Sequence, residues 1–181
     1  MKSALVLFAE GSEELEAVTV VNILRRGGVQ VSLAGLTNGV LRGSRGILLQ
    51  PDTTLEAALD KNFDMVVLPG GQPGTNHLKA DVRVLQLVQK MVAQDKFVTA
   101  ICAAPAVLAA AGLLNEKRAT SFPTCLDDYP RVAQQTAAVV EDGKLITSRG
   151  PGTAMDFALT LLERLMGAEK RMEVEAGLVR T

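Results

Sequence analysis

The chain is 181 residues long, the size of one domain that buries roughly 70% of the surface its unfolded form exposes. A hydrophobic content of 48% and a charged content of 22% exclude disordered and fibrous classes. Nineteen basic residues against 20 acidic ones, with no run of Lys or Arg, leave a net charge of -1 and no field to draw the protein onto nucleic acid or an anionic membrane.

A single domain over 1–181 with a small neutral partner is therefore expected, and no sequence-specific contact with nucleic acid. The scarce residues limit the chemistry: one His, one Tyr, two Cys and no Trp. Cys102 and Cys125 do not make a disulfide framework, and neither a C-x-x-C pair nor clustered His offers metal ligands, so no metal and a reducing, cytoplasmic setting are expected.

Ala4 to Ala9 is an unbroken apolar run of strand length, the pattern of a strand covered on both faces. Only Lys2 precedes it and Glu10 ends it, so it is too short for a signal-peptide core or a membrane span. Ser12 reads as an N-cap, with Glu13, Glu14 and Glu16 in the first helical turn, where the helix dipole favours negative charge. Ala17, Val20, Val21 and Leu24 follow as one buried stripe, and Gly27-Gly28 ends the helix. Val29 to Leu36 resumes strand character, so the chain opens on strand, helix, strand, a right-handed parallel crossover.

Asn38-Gly39 is a turn signal, and Val40-Leu41 with Ile47 to Leu49 predicts a small hairpin before Pro51. Thr54 to Leu59 reads as a short helix and Met65 to Leu68 as a buried strand closed by Pro69-Gly70-Gly71. Val82, Leu85, Val88 and Val92 mark a helix beginning near Asp81; Phe97 to Ile101 is the next strand, running into Cys102 and a small-residue helix from Ala103 to Ala111. Ala137 to Glu141 and Lys144 to Thr147 flank Asp142-Gly143 as a hairpin. Met155, Ala158, Leu159 and Leu162 form the last helical stripe, opened by Gly150-Pro151-Gly152 and closed near Gly167. This alternation predicts an α/β sandwich around a mostly parallel sheet, with ligands beyond the carboxyl ends of the strands.

Cys102 lies where a buried strand turns into a helix, between Ala100 and Ala104, whose small size permits a nucleophile elbow with a thiol in place of the hydroxyl. Pro105 suits the first helical turn, and the dipole of that helix is expected to lower the thiol pKa. On the residues alone Cys102 reads equally as a small buried hydrophobe. The only histidine, His77, falls in a polar loop after Gly74 and reads as solvated, which removes a Cys-His dyad of the peptidase kind. Glu16 is the remaining proton carrier, projecting toward the same sheet edge; Glu13 and Glu14 read as dipole partners. After Pro69, the Gly70 and Gly71 N–H groups suit an oxyanion hole, and Gly150-Pro151-Gly152 with Arg149, or Arg45, an anion. Neither G-x-x-x-x-G-K-S/T nor a strand-linked G-x-G-x-x-G occurs, so no nucleotide cofactor is expected.

Gly11-Ser12-Glu13-Glu14-Leu15-Glu16, Val67-Leu68-Pro69-Gly70-Gly71, Ala100-Ile101-Cys102-Ala103-Ala104-Pro105 and Thr147 to Thr153 together resemble the ThiJ/PfpI superfamily almost end to end. The resemblance implies a flavodoxin-like three-layer sandwich, a homodimer packed partly through the first helix around Leu15, and a reactive Cys102. It implies that protonated Glu16 hydrogen-bonds the Cys102 sulfur and that the Gly71 and Ala103 N–H groups face the same pocket. The activity it implies is that of a cofactor-free glyoxalase or deglycase acting on methylglyoxal, glyoxal or their early adducts, including glycated protein, under oxidative and carbonyl stress. Its alternative is a redox-sensing chaperone whose Cys102 is oxidised to sulfinate without turnover. Two departures stand out. Phe122 occupies the place of a histidine in the mammalian member, which again disfavours a peptidase. Gln50 replaces that member's peripheral cysteine, and Cys125, standing elsewhere, is expected to be inert, the other reading being a resolving thiol close to Phe122 and the pocket.

Overall fold

The computed structural model describes residues 1–180. The first apolar run forms β1 (Ser3–Phe8) and leads through α1 (Glu14–Arg26) to β2 (Gln30–Gly35), parallel to β1. β3 (Leu41–Arg42) and β4 (Leu48–Leu49) stand apart as an antiparallel pair. β5 (Thr53–Thr54) runs into the one-turn α2 (Leu55–Ala58), whose first turn is capped by the Thr54 hydroxyl accepting the Ala57 N–H. There follow β6 (Met65–Leu68), α3 (Gly74–Ala80), α4 (Val82–Ala93), β7 (Phe97–Ile101) and α5 (Pro105–Ala110). β8 (Arg118–Ala119) and β9 (Ala133–Gln134) make a short parallel ladder outside the main sheet. The hairpin β10 (Val139–Asp142) and β11 (Leu145–Ser148), a 3-10 turn (Pro151–Thr153), α6 (Ala154–Met166) and α7 (Ala168–Ala176) complete the chain.

The main sheet has seven strands in the order β10-β11-β7-β6-β1-β2-β5, and only β10 is antiparallel. Its five central parallel strands follow the flavodoxin-like order 2-1-3-4-5, whose direction of progression reverses between β1 and β6. Successive side chains point to opposite faces. Leu5 and Leu7 enter one core with Val66, Leu68, Leu78, Val88 and Leu108; Ala4, Val6 and Phe8 enter the other with Ile23, Leu24, Phe157 and Leu162. Helices α2 to α5 cover the first face and α1, α6 and α7 the second, which is the three-layer sandwich expected from the alternation of elements. Close packing governs the second layer: a Cβ at Gly27 would stand 2.1 Å from a Leu162 methyl.

Three local expectations are corrected, and one helix the sequence reading missed is added. Ser12 does not cap α1, whose N-cap is Glu13; the buried Ser12 hydroxyl instead accepts the Ala9 N–H at 3.0 Å and holds the exit from β1. His77 lies not in a loop but on the exposed side of α3, with Nδ1 2.9 Å from the Glu10 carbonyl oxygen. On α4 the inward stripe is Val84, Leu87, Val88 and Met91, while Val82 is 61% exposed and Val92 38%. Apolar residues occupy two adjoining stripes of that helix, and the sheet beneath selects one. The polar α7 carries too weak an apolar stripe to be legible; it lies against α6 and buries Val174. Among the described residues no helix is long and apolar enough to cross a membrane.

Candidate active site at the strand ends

The carboxyl ends of three adjacent strands build the site. β1 leads into the turn that starts α1, β6 ends at Pro69-Gly70-Gly71, and β7 ends at Cys102. They meet beside the point where the strand order reverses, the crevice in which open α/β sheets bind ligands.

Cys102 sits at φ +64, in the left-handed region that a non-glycine side chain rarely enters. The conformation is held from both sides: its N–H donates to the Ser148 carbonyl at 3.0 Å, and its own carbonyl accepts the Phe122 N–H at 2.8 Å. Ala100 and Ala104 flank it without exposure, as an elbow requires. Gly70 is needed for the close approach, since a Cβ there would lie 2.7 Å from Cys102 Cβ and 2.9 Å from Ala103 N. Gly71, at φ +83, passes so near the next strand's exit that a Cβ would stand 2.4 Å from Glu13 N.

Glu16, on the first turn of α1, is fully buried. Its Oε2 accepts the Gly70 N–H at 2.7 Å. Oε1 is buried without a hydrogen-bond partner, and the carboxyl stands close enough to the Cys102 thiol for each group to shift the other's pKa. The Gly71 and Ala103 N–H groups face the Cys102 sulfur closely enough to lower its pKa. All four residues expected at the site are thus brought together, with one refinement: Gly70 serves the carboxyl and Gly71 the sulfur.

Burial pushes the Glu16 carboxyl up to about 7; the Gly70 N–H and Cys102 pull it partly back, and the Glu13 charge adds to the rise. Burial and then the Glu16 charge push Cys102 up to about 12, against the lowering by Gly71 and Ala103. The dipole expected to lower the thiol does not prevail. The helix that should supply it has six residues and begins three positions beyond the cysteine, at Pro105. The two groups titrate as a pair: the first proton leaves near neutrality, and the second is retained because its loss places two charges side by side.

Cys102 opens onto a cavity of about 460 Å³, walled by Glu13, Ser44, Arg45, Ala103, Phe122 and Cys125 among others. Glu16 is not in that wall; it lies beneath the sulfur. Glu13, expected to be a dipole partner, instead lines the cavity at 6% exposure and accepts a hydrogen bond from the Ser44 hydroxyl at 2.7 Å. Glu14 is turned away from the cavity and anchors the loop that carries Ser44: its carboxylate accepts the Arg45 and Ile47 N–H groups at 3.0 and 3.2 Å. Burial alone would raise the Glu14 carboxyl, but those N–H groups, its own and the Ser44 hydroxyl hold it below the ordinary value. Ser44 and Arg45 lie in a polar loop, and nothing in their local sequence says which helix the loop meets.

The possible anion sites differ. Arg45 stands at the cavity wall with its side chain 80% exposed, 3.8 Å from the Glu13 carboxylate. Arg149 borders an adjoining recess with Phe122 and Pro123, and the Gly150 N–H beside it is already donated to the Thr153 hydroxyl at 3.1 Å. His77 is not in the cavity wall. Among the described residues no group of three or more His, Cys, Asp or Glu is placed to hold a metal ion.

Residues 2–164 match the model of the DJ-1/PfpI family. The chain is 44% identical to protein dj-1beta of Drosophila melanogaster, over 98% of this chain and 97% of that protein. The crystal structure of Drosophila melanogaster DJ-1beta superposes with a TM-score of 0.96 at 42% identity, covering 99% of this chain and 98% of that one. A Caenorhabditis elegans relative named glutathione-independent glyoxalase DJR-1.2 is 37% identical over 93% of this chain and 91% of its own length. An elbow cysteine over a buried carboxyl, a 2-1-3-4-5 sheet and similarity along the whole chain lead to one conclusion: the chain belongs to the DJ-1/PfpI family.

Proposed function

We propose that the protein is a glutathione-independent glyoxalase or protein deglycase, using Cys102 as nucleophile on methylglyoxal, glyoxal or their early adducts, as part of the cell's handling of oxidative and carbonyl stress. The observation that carries this reading is the buried Glu16 carboxyl, one oxygen unpartnered, coupled to Cys102 at an open cavity. The printed name of the Caenorhabditis elegans relative supports it at the level of the family. A cytoplasmic location and a homodimer formed through α1 belong to the same proposal; on that helix Leu15 is 50% exposed and Val18 46%.

Hydrogen-bond satisfaction favours placing the pair's one negative charge on sulfur. A thiolate accepts from Gly71, Ala103 and the Glu16 hydroxyl, and the proton gives the otherwise orphaned Oε1 a partner. A carboxylate with a neutral thiol leaves two N–H groups against a weak acceptor.

The thiolate adds to the aldehyde carbon of methylglyoxal, and the new oxyanion is stabilised by the same two N–H groups and takes the Glu16 proton. Glu16, now a carboxylate, removes the hydrogen from that carbon and returns it to the neighbouring one, while the hydroxyl proton of the first carbon passes to the second oxygen. The product of this step is a thioester of lactate. Water hydrolyses it, freeing lactate and the Cys102 thiol. The test is Cys102→Ser: lactate formation is lost while circular dichroism and the denaturation midpoint are retained. Undiminished turnover in that variant overturns the proposal.

A second reading rests on the three hydrogen-bond donors around the sulfur, which also suit the oxygens of a sulfinate in a redox-sensing chaperone. Mass spectrometry after mild peroxide, run beside a methylglyoxal assay, separates the two. Selective Cys102 sulfinate without aldehyde turnover favours the sensor.

A further inference from the structure

Both cysteines of this chain are free thiols, and both line the one cavity. Cys125 is half-buried against the same apolar cluster that contains Cys102 and Ala103. The chain between them is tied together by backbone: the Phe122 N–H donates to the Cys102 carbonyl at 2.8 Å, and the Cys125 N–H donates to the Phe122 carbonyl at 3.2 Å. Cys125 therefore closes a turn whose first residue is bonded directly to the elbow, and such a turn spans less than about 7 Å between its end Cα atoms.

We infer that Cys125 is a resolving thiol, which captures Cys102 after its oxidation by a small peroxide and forms a reversible Cys102–Cys125 disulfide. The inference rests on Cys102 being the reactive nucleophile of the reading above.

Two features of the segment suit this role. Phe122, Pro123 and Thr124 are exposed and belong to no helix or strand, so the turn moves without breaking a ladder. Thr124, a β-branched residue, is held at φ +71, a strained conformation within this turn. A disulfide needs its Cα atoms within about 7 Å, and the two-bond backbone link from Cys102 through Phe122 to Cys125 leaves a shift of this exposed turn to bring the thiols that close. The two thiols also differ in the required sense. Cys102 has hydrogen-bond donors from Gly71, Ala103 and Glu16 to receive an oxidised sulfur. Burial, then Asp127, raise the Cys125 thiol against the opposing Lys79, and no backbone N–H offsets the rise there.

The chemistry balances in two steps. Cys102 sulfur attacks one peroxide oxygen; the S–O bond forms as O–O breaks, sulfur loses two electrons, and water departs with the thiol proton. Cys125 sulfur then attacks the sulfenic sulfur; S–S forms, S–O breaks, and the departing hydroxide takes the Cys125 proton as water. Two thiols and one hydrogen peroxide become one disulfide and two waters. A thiol reductant reverses it by exchange. Excess peroxide competes with the second step by carrying the sulfenic acid on to sulfinate.

The experiment treats the purified full chain with one equivalent of hydrogen peroxide, blocks remaining thiols with iodoacetamide, and measures intact mass and tryptic peptides. The expected result is a monomer mass lower by two hydrogens, peptides 97–117 and 119–131 joined, and both thiols restored by dithiothreitol. Cys125→Ser and Cys125→Ala, each checked for folding by circular dichroism, then yield Cys102 sulfenic acid at one equivalent and its sulfinate at two, in place of the disulfide. Wild-type sulfinate with Cys125 still alkylated overturns the inference, as does a disulfide joining two copies. A methylglyoxal assay on the untreated protein keeps the two claims apart: a disulfide without turnover overturns the glyoxalase reading alone.

Discussion

Gly70 donates its N–H to Glu16 Oε2 at 2.7 Å, so one oxygen of a fully buried carboxyl is fixed by the backbone beyond β6 while the other is left to the Cys102 sulfur. The proton carrier is thereby locked to the same loop whose next N–H addresses the nucleophile. Position and protonation of the pair are set by one element.

Glu16→Gln keeps the shape and removes the titrating proton. Methylglyoxal turnover is expected to fall by about 10²–10⁴-fold, the usual contribution of a positioned acid and base. Initial lactate formation at saturating substrate measures it, and turnover within a factor of two of wild type removes Glu16 from the mechanism.

The same substitution changes the pH dependence of stability. The Glu16 carboxyl is raised from 4.5 to about 7 in the fold, so the folded state binds the proton more tightly. Its contribution is fully present below pH 4.5 and is lost as pH rises to about 7, a decline on the order of 3 kcal/mol. Urea denaturation at half-unit pH steps should show this decline in wild type and not in Glu16→Gln.

Glu14→Gln tests the anchor of the loop that carries Ser44 and Arg45. Loss of a charged acceptor shared by two backbone N–H groups should cost about 1–3 kcal/mol at neutral pH. The folded pKa of Glu14 is lowered, so its contribution is present above 4.5 and fades as pH falls through the folded value. The gap between wild type and variant in urea midpoint should therefore narrow at pH 4; a gap constant with pH would assign the effect to shape alone.

Gly71→Ala places a Cβ 2.4 Å from Glu13 N on a backbone already at φ +83. Because the obstacle is backbone, no side chain can yield. The expected loss is about 3 kcal/mol or more of stability together with turnover. A variant with an unchanged thermal midpoint contradicts this close approach.

Ser12→Ala removes the acceptor of the buried Ala9 N–H and leaves that donor unsatisfied. The expected cost is about 1–3 kcal/mol in chemical denaturation. Ser12→Thr, which restores a hydroxyl, should recover part of it.

Much of the fold is written locally. The apolar runs that start at Ala4, Met65 and Phe97, closed by Glu10-Gly11, Pro69-Gly70-Gly71 and Cys102, mark strands covered on both faces, and their alternation with helical stripes dictates a parallel sheet. Cys102 between Ala100 and Ala104 announces the elbow for the same local reason: only small neighbours let a strand turn so sharply, and φ +64 at that residue is the outcome.

What the tertiary structure decided depends on partners distant in the chain. Ser12 follows every local rule for an N-cap, yet Ala9 is the group its hydroxyl meets once β1 is buried. Glu13, Glu14 and Glu16 share one helical turn, and the sequence sets only Glu16 apart from the other two. Packing sends the first to the cavity wall, the second to the Arg45 and Ile47 N–H groups and the third beneath Cys102, because a helix turns each residue by about 100° and three different neighbours surround it. Cys125 lies 23 positions after Cys102, and nothing in that spacing tells of the Phe122 N–H that ties its turn to the elbow. Periodicity and residue size act over a few residues and are legible in the sequence; which carboxyl or thiol faces which neighbour is a property of the packed layers.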